Sequence, residues 1–185
     1  VVLGFDGSWS GDSTALVACS IEDPKHVELI GLWERPLDQH AQGWRVNVDE
    51  VCRTIRETAE KYTCVEIACD PFRWELAIYQ LASEGLNISE YPTNAISRST
   101  AATQILYDLI VDKNITFADN QAALQRHFEN AVLKEDARGA RLSKPGQRGH
   151  PQKIDAAVAT MIAVHRAHAR REDEPEYHEP QLLVV

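Results

Sequence analysis

Val1-Val2-Leu3-Gly4-Phe5-Asp6-Gly7-Ser8 opens the chain with an apolar run that stops at an acid and a turn. A continuous apolar run reads as a central strand, and Asp-Gly after it is a turn signal. Working outward, Thr14 to Ile21 and His26 to Trp33 give two more strand patterns across short connections, which predicts an antiparallel meander of three strands. Asn47-Val48-Asp49-Glu50 then opens a helix to about Lys61, with apolar residues at helical spacing and acids in the first turn. Thr63 to Cys69 reads as a buried strand that ends at Asp70-Pro71. Beyond it the patterns alternate, as they do where helices cross between parallel strands. Helices are predicted over Arg73 to Ser83, Ser97 to Asp112 and Asn120 to Leu133, with strands at Ile88 to Tyr91 and Ile115 to Ala118. The polar, basic stretch from Glu135 to Pro151 reads as a loop or hairpin, and Lys153 to Arg170 as a last, alanine-rich helix. The expected fold class is α/β: a mixed sheet of three antiparallel strands followed by parallel strands, flanked by helices. It should occupy residues 1–170, with 171–185 a flexible or docking tail.

The 185 residues suit one domain, and a composition 44% hydrophobic and 25% charged excludes disordered, collagen-like and coiled-coil classes. No stretch approaches the roughly 20 apolar residues that span a bilayer, so a soluble, intracellular protein without membrane contact is expected. Cys19, Cys52, Cys64 and Cys69 form no C-x-x-C pair and read as reduced, mostly buried thiols. A formal net charge of −9 argues against generic nucleic-acid binding, so any DNA contact must be local. A strand that begins at Val1 without an initiator methionine is expected of a piece of a longer chain.

The order of elements places one acid at the end of the first strand (Asp6), one at the end of the fourth (Asp70) and one at the start of the last helix (Asp155). Metal-assisted phosphodiester hydrolysis needs such carboxylates, shared between divalent ions about 4 Å apart. Hard oxygen donors suit Mg²⁺ or Mn²⁺, one or two ions. Each acid also has a plainer reading. Asp6 could be a turn residue, Asp70 the cap of a helix that has Pro71 in its first position, and Asp155 a helix-dipole partner. Against these, Asp6 closes a central strand, Asp70 lies at a strand's carboxyl end, and the small Ala156, Ala157 and Ala159 would let the last helix lie close to the sheet. Asp12, among Gly and Ser, reads as a turn and stays outside the expected ligand set.

Arg138, Arg141, Lys144, Arg148, His150 and Lys153 form the clearest local positive field and are the candidate DNA contacts. Lys153 is the sharpest of them, able to hold a phosphate or to form a salt bridge with Asp155. Trp9 could stack on a base or pack under its loop, while Trp33 and Trp74 read as core. His165 and His168 read as helix surface, and Ser97, Ser99 and Thr100 as a helix cap.

Val2-Leu3-Gly4-Phe5-Asp6-Gly7-Ser8, Ile67-Ala68-Cys69-Asp70-Pro71 and Gly149-His150-Pro151-Gln152-Lys153-Ile154-Asp155-Ala156-Ala157-Val158-Ala159, in that order, resemble the nuclease half of a tailed-phage terminase large subunit. The resemblance runs from about Val1 to Ala169. It implies a ribonuclease-H-like fold and a Mg²⁺- or Mn²⁺-dependent endonuclease that cuts concatemers of double-stranded viral DNA during genome packaging, with Asp6, Asp70 and Asp155 as catalytic metal ligands. It further implies a host-cytoplasmic setting, an ATPase motor domain in the same full-length chain, and portal and small terminase subunit as partners. No G-x-x-x-x-G-K-[ST] loop occurs, so the motor would lie outside these residues. Some family members carry glutamate where Asp70 stands. The alternatives are a portal- or partner-docking module of the same fold that does not cut, and a resolvase- or integrase-type nuclease.

Overall fold

The computed structural model describes residues 1–9, 12–36, 43–146 and 152–172. Strands β1 (Val2–Asp6), β2 (Thr14–Cys19) and β3 (Lys25–Trp33) form the antiparallel meander read from the sequence. Helix α1 (Val48–Lys61) follows, opened by Asn47, whose side chain accepts a hydrogen bond from the Glu50 amide. Asp49 and Glu50 in its first turn and Lys61 in its last suit the helix dipole. Then come β4 (Glu66–Cys69), α2 (Glu75–Ser83), β5 (Ile88–Glu90), α3 (Ile96–Val111), β6 (Ile115–Phe117) and α4 (Ala122–Glu129). A hairpin, β7 (Val132–Asp136) with β8 (Gly139–Ser143), precedes the last helix, α5 (Asp155–Glu172).

The main sheet has the order β5-β4-β1-β2-β3-β6, with β4 parallel to β1, β5 parallel to β4 and β6 parallel to β3. The expected mixed sheet is therefore present. Because β1 and β4 run side by side in parallel, with Phe5 opposite Cys69, Asp6 and Asp70 leave the sheet at the same edge. Strand alternation sorts β1 into two faces. Leu3 and Phe5 pack with Trp74, Val51 and Ile55 under α1 and α2, whereas Val2 and Gly4 face α5. Asp6 follows Gly4 by two residues and so points to the α5 side.

Helix α5 crosses that face unusually close to the sheet. Ala156, Ala157, Ala159, Ala163 and Ala167 are all fully buried. A Cβ at Gly4 would stand 2.2 Å from the Ala159 carbonyl oxygen, so only glycine lets the helix seat there. The buried Ile162 and Val164 between these alanines each contribute about 1.5–3 kcal/mol of apolar burial. Further along, the fully buried Glu66 of β4 accepts hydrogen bonds from Arg166 (2.7 and 3.0 Å) and Arg170 (2.8 Å), fixing the rotation of α5 about its axis.

Several local expectations change. Helix α4 stops at Glu129, and Val132-Leu133, read as its end, form the hairpin's first strand instead. The helix after Asp70-Pro71 begins only at Glu75 with Trp74 as its cap residue, so Asp70 caps a turn by accepting from the Phe72 amide (3.0 Å). Ala95, not a serine or threonine, precedes α3, and Ser99 donates to the Thr93 carbonyl from inside the first turns. His165 is not a surface residue: half-buried, it pairs with the Tyr91 hydroxyl at 3.0 Å. All four cysteines are free; Cys19, Cys52 and Cys69 are buried and Cys64 partly so. Among the described residues no helix is long and apolar enough to cross a membrane. Helix α5 runs through Glu172, and the rest of the expected tail lies outside the described residues.

Candidate active site

Asp6 and Asp155 line one cleft of about 320 Å³ at the carboxyl edge of β1, with Thr93, Ser99 and Lys144 around them. Burial, then the negative charges of Asp155 and Asp70, hold the Asp6 carboxyl well above the ordinary carboxylate range, against the opposing pull of Lys144. Asp155 is also raised, chiefly by burial, with Lys144 opposing and Asp12 reinforcing. No hydrogen bond or ion pair reaches the Asp6 side chain among the described residues, an arrangement that is costly for a carboxylate unless a cation joins it.

Each of the other acids is held by a named partner. Ser13 donates to Asp155 Oδ2 at 2.5 Å. The Thr93 hydroxyl and amide both donate to Asp70 Oδ2, while Asp70 Oδ1 takes the Phe72 amide. Asp12 pairs with Lys144 and, through Oδ1 at 3.2 Å, with Lys153. Burial raises the Asp12 carboxyl, yet the bonds and charge of Lys144 and Lys153 outweigh it and hold Asp12 below the ordinary range. Lys144 Nζ stands 3.8 Å from Asp155 Oδ1, so one ammonium is shared by two acids.

The start of α5 has its own support. The His127 ring on α4 is fully buried. Its Nδ1 accepts the Ala156 amide at 2.9 Å, and its Nε2 lies 3.0 Å from Glu34 Oε1. Accepting at Nδ1 requires the proton on Nε2, which then donates to Glu34. His127 thus fills the role of a helix cap from another element and fixes the turn that carries Asp155.

Three of the sequence-derived acids therefore come to one edge and act on one another electrostatically. They do not form a finished shell: among the described residues no group of three or more His, Cys, Asp or Glu is already positioned to hold a metal ion. The all-oxygen donor set, with the raised carboxyls of Asp6 and Asp155 and no partner for Asp6 among the described residues, fits a hard divalent cation in chemistry, and Asp70 would have to turn from Thr93 to join it. Asp12, set aside in the sequence as a turn residue, sits beside this cluster instead. Its Gly and Ser neighbours gave no sign of the two lysines that reach it from β8's end and the α5 approach.

Of the candidate DNA contacts, Arg138 and Arg141 lie on the hairpin and both lean on Asp136, at 3.7 and 2.5 Å. Lys144 and Lys153 reach Asp12 as described, so Lys153 bridges to Asp12 and it is Lys144 that nears Asp155. Arg148 and His150 lie outside the described residues. A larger groove of about 640 Å³ between Ile110, Phe117 and Phe128 is apolar and lacks the acidic cluster.

The meander, the parallel β4 and β5 and the closely docked last helix define a ribonuclease-H-like α/β fold, and comparison with solved structures agrees. The HK97 bacteriophage large terminase superposes with a TM-score of 0.69 at 20% identity, over 89% of this chain and 38% of that one. The large terminase nuclease from thermophilic phage G20c gives 0.63 at 13% identity, over 88% of this chain and 79% of that one. A structure of the G20c nuclease with bound magnesium gives 0.61 at 15% identity and the same coverage. The family model for the terminase large subunit, endonuclease domain, matches residues 2–171, and the chain belongs to that family. Gene 13 protein of Mycobacterium phage L5 is 25% identical over 174 residues, as is its counterpart in phage D29. This chain spans 28% of the length of either relative.

Proposed function

We propose that this chain is a divalent-metal-dependent endonuclease that cuts concatemers of double-stranded viral DNA in the host cytoplasm, as one part of a packaging motor. The observation that carries the reading is Asp6: a carboxylate with no hydrogen-bond or ion-pair partner among the described residues, held beside Asp155 and Asp70, at the edge where α/β sheets place their ligands. The bound magnesium of the G20c nuclease supports the choice of cation. Asp6, Asp70 and Asp155 would hold one or two Mg²⁺ or Mn²⁺ ions, which supply activation of water and charge stabilisation at the phosphorus.

The chain's own residues set the rest. Ser13 orients Asp155, Thr93 orients Asp70, and His127 fixes the backbone turn beneath Asp155. Asp12 draws Lys144 and Lys153 to the rim, where their ammonium groups stand ready for the phosphate flanking the scissile bond. Arg138 and Arg141 would follow the strand outward along the hairpin, and Arg148 and His150, outside the described residues, stay as proposed DNA contacts from the sequence. An ATPase motor domain in the full-length chain, the portal and the small terminase subunit are the proposed partners, with residues 1–170 as the nuclease unit and 171–185 as its tail.

Nicking of supercoiled plasmid tests the reading. Cleavage is expected with Mg²⁺ or Mn²⁺, absent with EDTA, and absent in Asp6→Asn, Asp70→Asn and Asp155→Asn. Undiminished cleavage by any of these variants, or by the protein in EDTA, removes the assignment.

A further inference from the structure

The sheet edge that carries Asp6 has a second flank, on the side of α1 and α2, which the reaction described above leaves unused. Three loop segments meet there: the turn after β1 brings Trp9, the approach to α1 brings Arg45, and the turn after β4 brings Phe72 and Arg73. The amide of Val46 donates to the Trp9 carbonyl at 3.2 Å, tying the first two together. Trp9, Arg45, Arg73 and Glu75 line a cleft of about 440 Å³. Trp9 is 43% and Phe72 63% exposed, and both arginines are exposed.

Two features separate this flank from an ordinary surface. Eight other arginines in α1, α4, α5 and the hairpin sit within ion-pair distance of a carboxylate, as Arg56 does with Glu84 and Arg166 with Glu66. Among the described residues Arg45 and Arg73 form no ion pair, although Glu75 lines the same cleft; Arg73 lies 5.1 Å over the Phe72 ring. Among the described residues Arg35 and Arg98 share this lack of an ion pair, Arg98 over the Tyr91 ring, but Arg45 and Arg73 line one cleft together, in a chain of net charge −9. Arg73 also holds a left-handed backbone, φ 66°, which L side chains rarely adopt without a reason in the surrounding structure.

We infer that Arg45, Arg73 and Trp9 form a second DNA contact, holding the sugar-phosphate backbone on the side of the acidic site away from the hairpin. The two guanidinium groups take phosphates, Phe72 shelves Arg73, and Trp9 gives apolar contact to a deoxyribose. Duplex DNA would then straddle the carboxyl edge of the sheet, gripped on both flanks with the scissile phosphate between them. This rests on the nuclease reading above and names how its substrate is held.

The test is binding of a labelled blunt DNA duplex as a function of salt, with every protein carrying Asp6→Asn so that nothing is cut. Each phosphate contact adds about 0.9 to the slope of log K against log salt. Arg45→Gln with Arg73→Asn is expected to lower that slope by about 2; asparagine tolerates the left-handed backbone at 73. Trp9→Ala should weaken binding at every salt concentration with the slope unchanged. Arg53→Ala with Lys61→Ala, two charges removed from α1, should leave the slope alone. An equal fall from that control pair, or no fall from the Arg45 and Arg73 pair, overturns the inference. A changed oligomeric state in Phe72→Ser with Leu76→Ser, without a slope change at Arg45 and Arg73, also overturns it, because the flank would then be a protein-docking face. Cleavage by the wild-type chain is read separately: slope changes without any metal-dependent cutting sink only the nuclease reading, and cutting without slope changes sinks only this one.

Discussion

On the hairpin side of the acidic edge, Arg138 and Arg141 lean on Asp136 while Lys144 and Lys153 lean on Asp12. On the opposite side, Arg45 and Arg73 stand beside aromatic rings with no ion pair among the described residues. The densest run of basic residues in the sequence is thus the flank whose charge is most nearly offset in space. A cation's field depends on what stands within a few ångströms of it, and sequence spacing reports only neighbours along the chain. On the proposed reading the paired lysines would work at short range, on Asp155 and on a phosphate beside it, and Arg45 and Arg73 over a longer reach.

The largest effect is expected at the point both flanks serve. Asp6→Asn should reduce nicking to the level of a protein-free control, and at neutral pH it should raise the melting temperature of the metal-free protein. The sign follows from linkage. Because the folded state raises the Asp6 carboxyl, its contribution to stability is fully present below the unfolded-state value and is lost as pH rises through the folded-state value. Asparagine never ionises, so the advantage over wild type should shrink as pH falls. Magnesium should raise the wild-type melting temperature and leave the variant's unchanged; a wild-type protein indifferent to the ion would contradict the site.

Next comes the seat of α5. Gly4→Ala, which forces a Cβ into the Ala159 carbonyl, should cost about 1–3 kcal/mol by denaturant titration and lower nicking further than that loss of folded protein explains, since Asp155 rides on the displaced helix. His127→Ala, by leaving the buried Ala156 amide without an acceptor, should cost about 1–3 kcal/mol, again with a fall in nicking. Wild-type nicking in His127→Ala would show that the α5 turn holds without this cap.

Lys144→Ala sharpens the contrast between flanks. Lys144 lowers both Asp6 and Asp155, so its loss should move the rising limb of the nicking-pH profile to higher pH, whereas Arg73→Asn should change affinity without moving that limb. The smallest effect is expected from Arg138→Ala: its charge is 3.7 Å from Asp136 and 61% exposed, and DNA affinity should change less than in Arg73→Asn.

Much of the architecture was legible because β1 to β4 and α5 have patterns that physics reads locally: apolar runs for strands, an Asn cap and first-turn acids for α1, and an alanine face for a helix that must approach a glycine. The convergence of Asp6 and Asp70 follows once β4 is placed parallel to β1. Other features depend on contacts between distant segments. Val132 and Leu133 continue a helical spacing, and only pairing with Leu142 and Ser143 shows them to be strand. Asp12 looks like any turn acid until two lysines arrive from the far end of the chain. His127 carries no signal in its own helix, since its function is to satisfy an amide on another.

The Ser13 to Asp155 hydrogen bond joins residues 142 positions apart, and it bears on when during synthesis the protein acquires its acidic centre. A ribosome that has completed β1 through the hairpin has already made Asp6 and Asp70, yet the sheet face around Gly4 is still bare and the third carboxylate, Asp155, does not exist. Only the emergence of α5 covers that face and delivers Asp155 in the same docking event. If the proposed site is right, cutting competence and completion of the core would arrive together, and a nascent chain halted before Asp155 would carry only part of the centre.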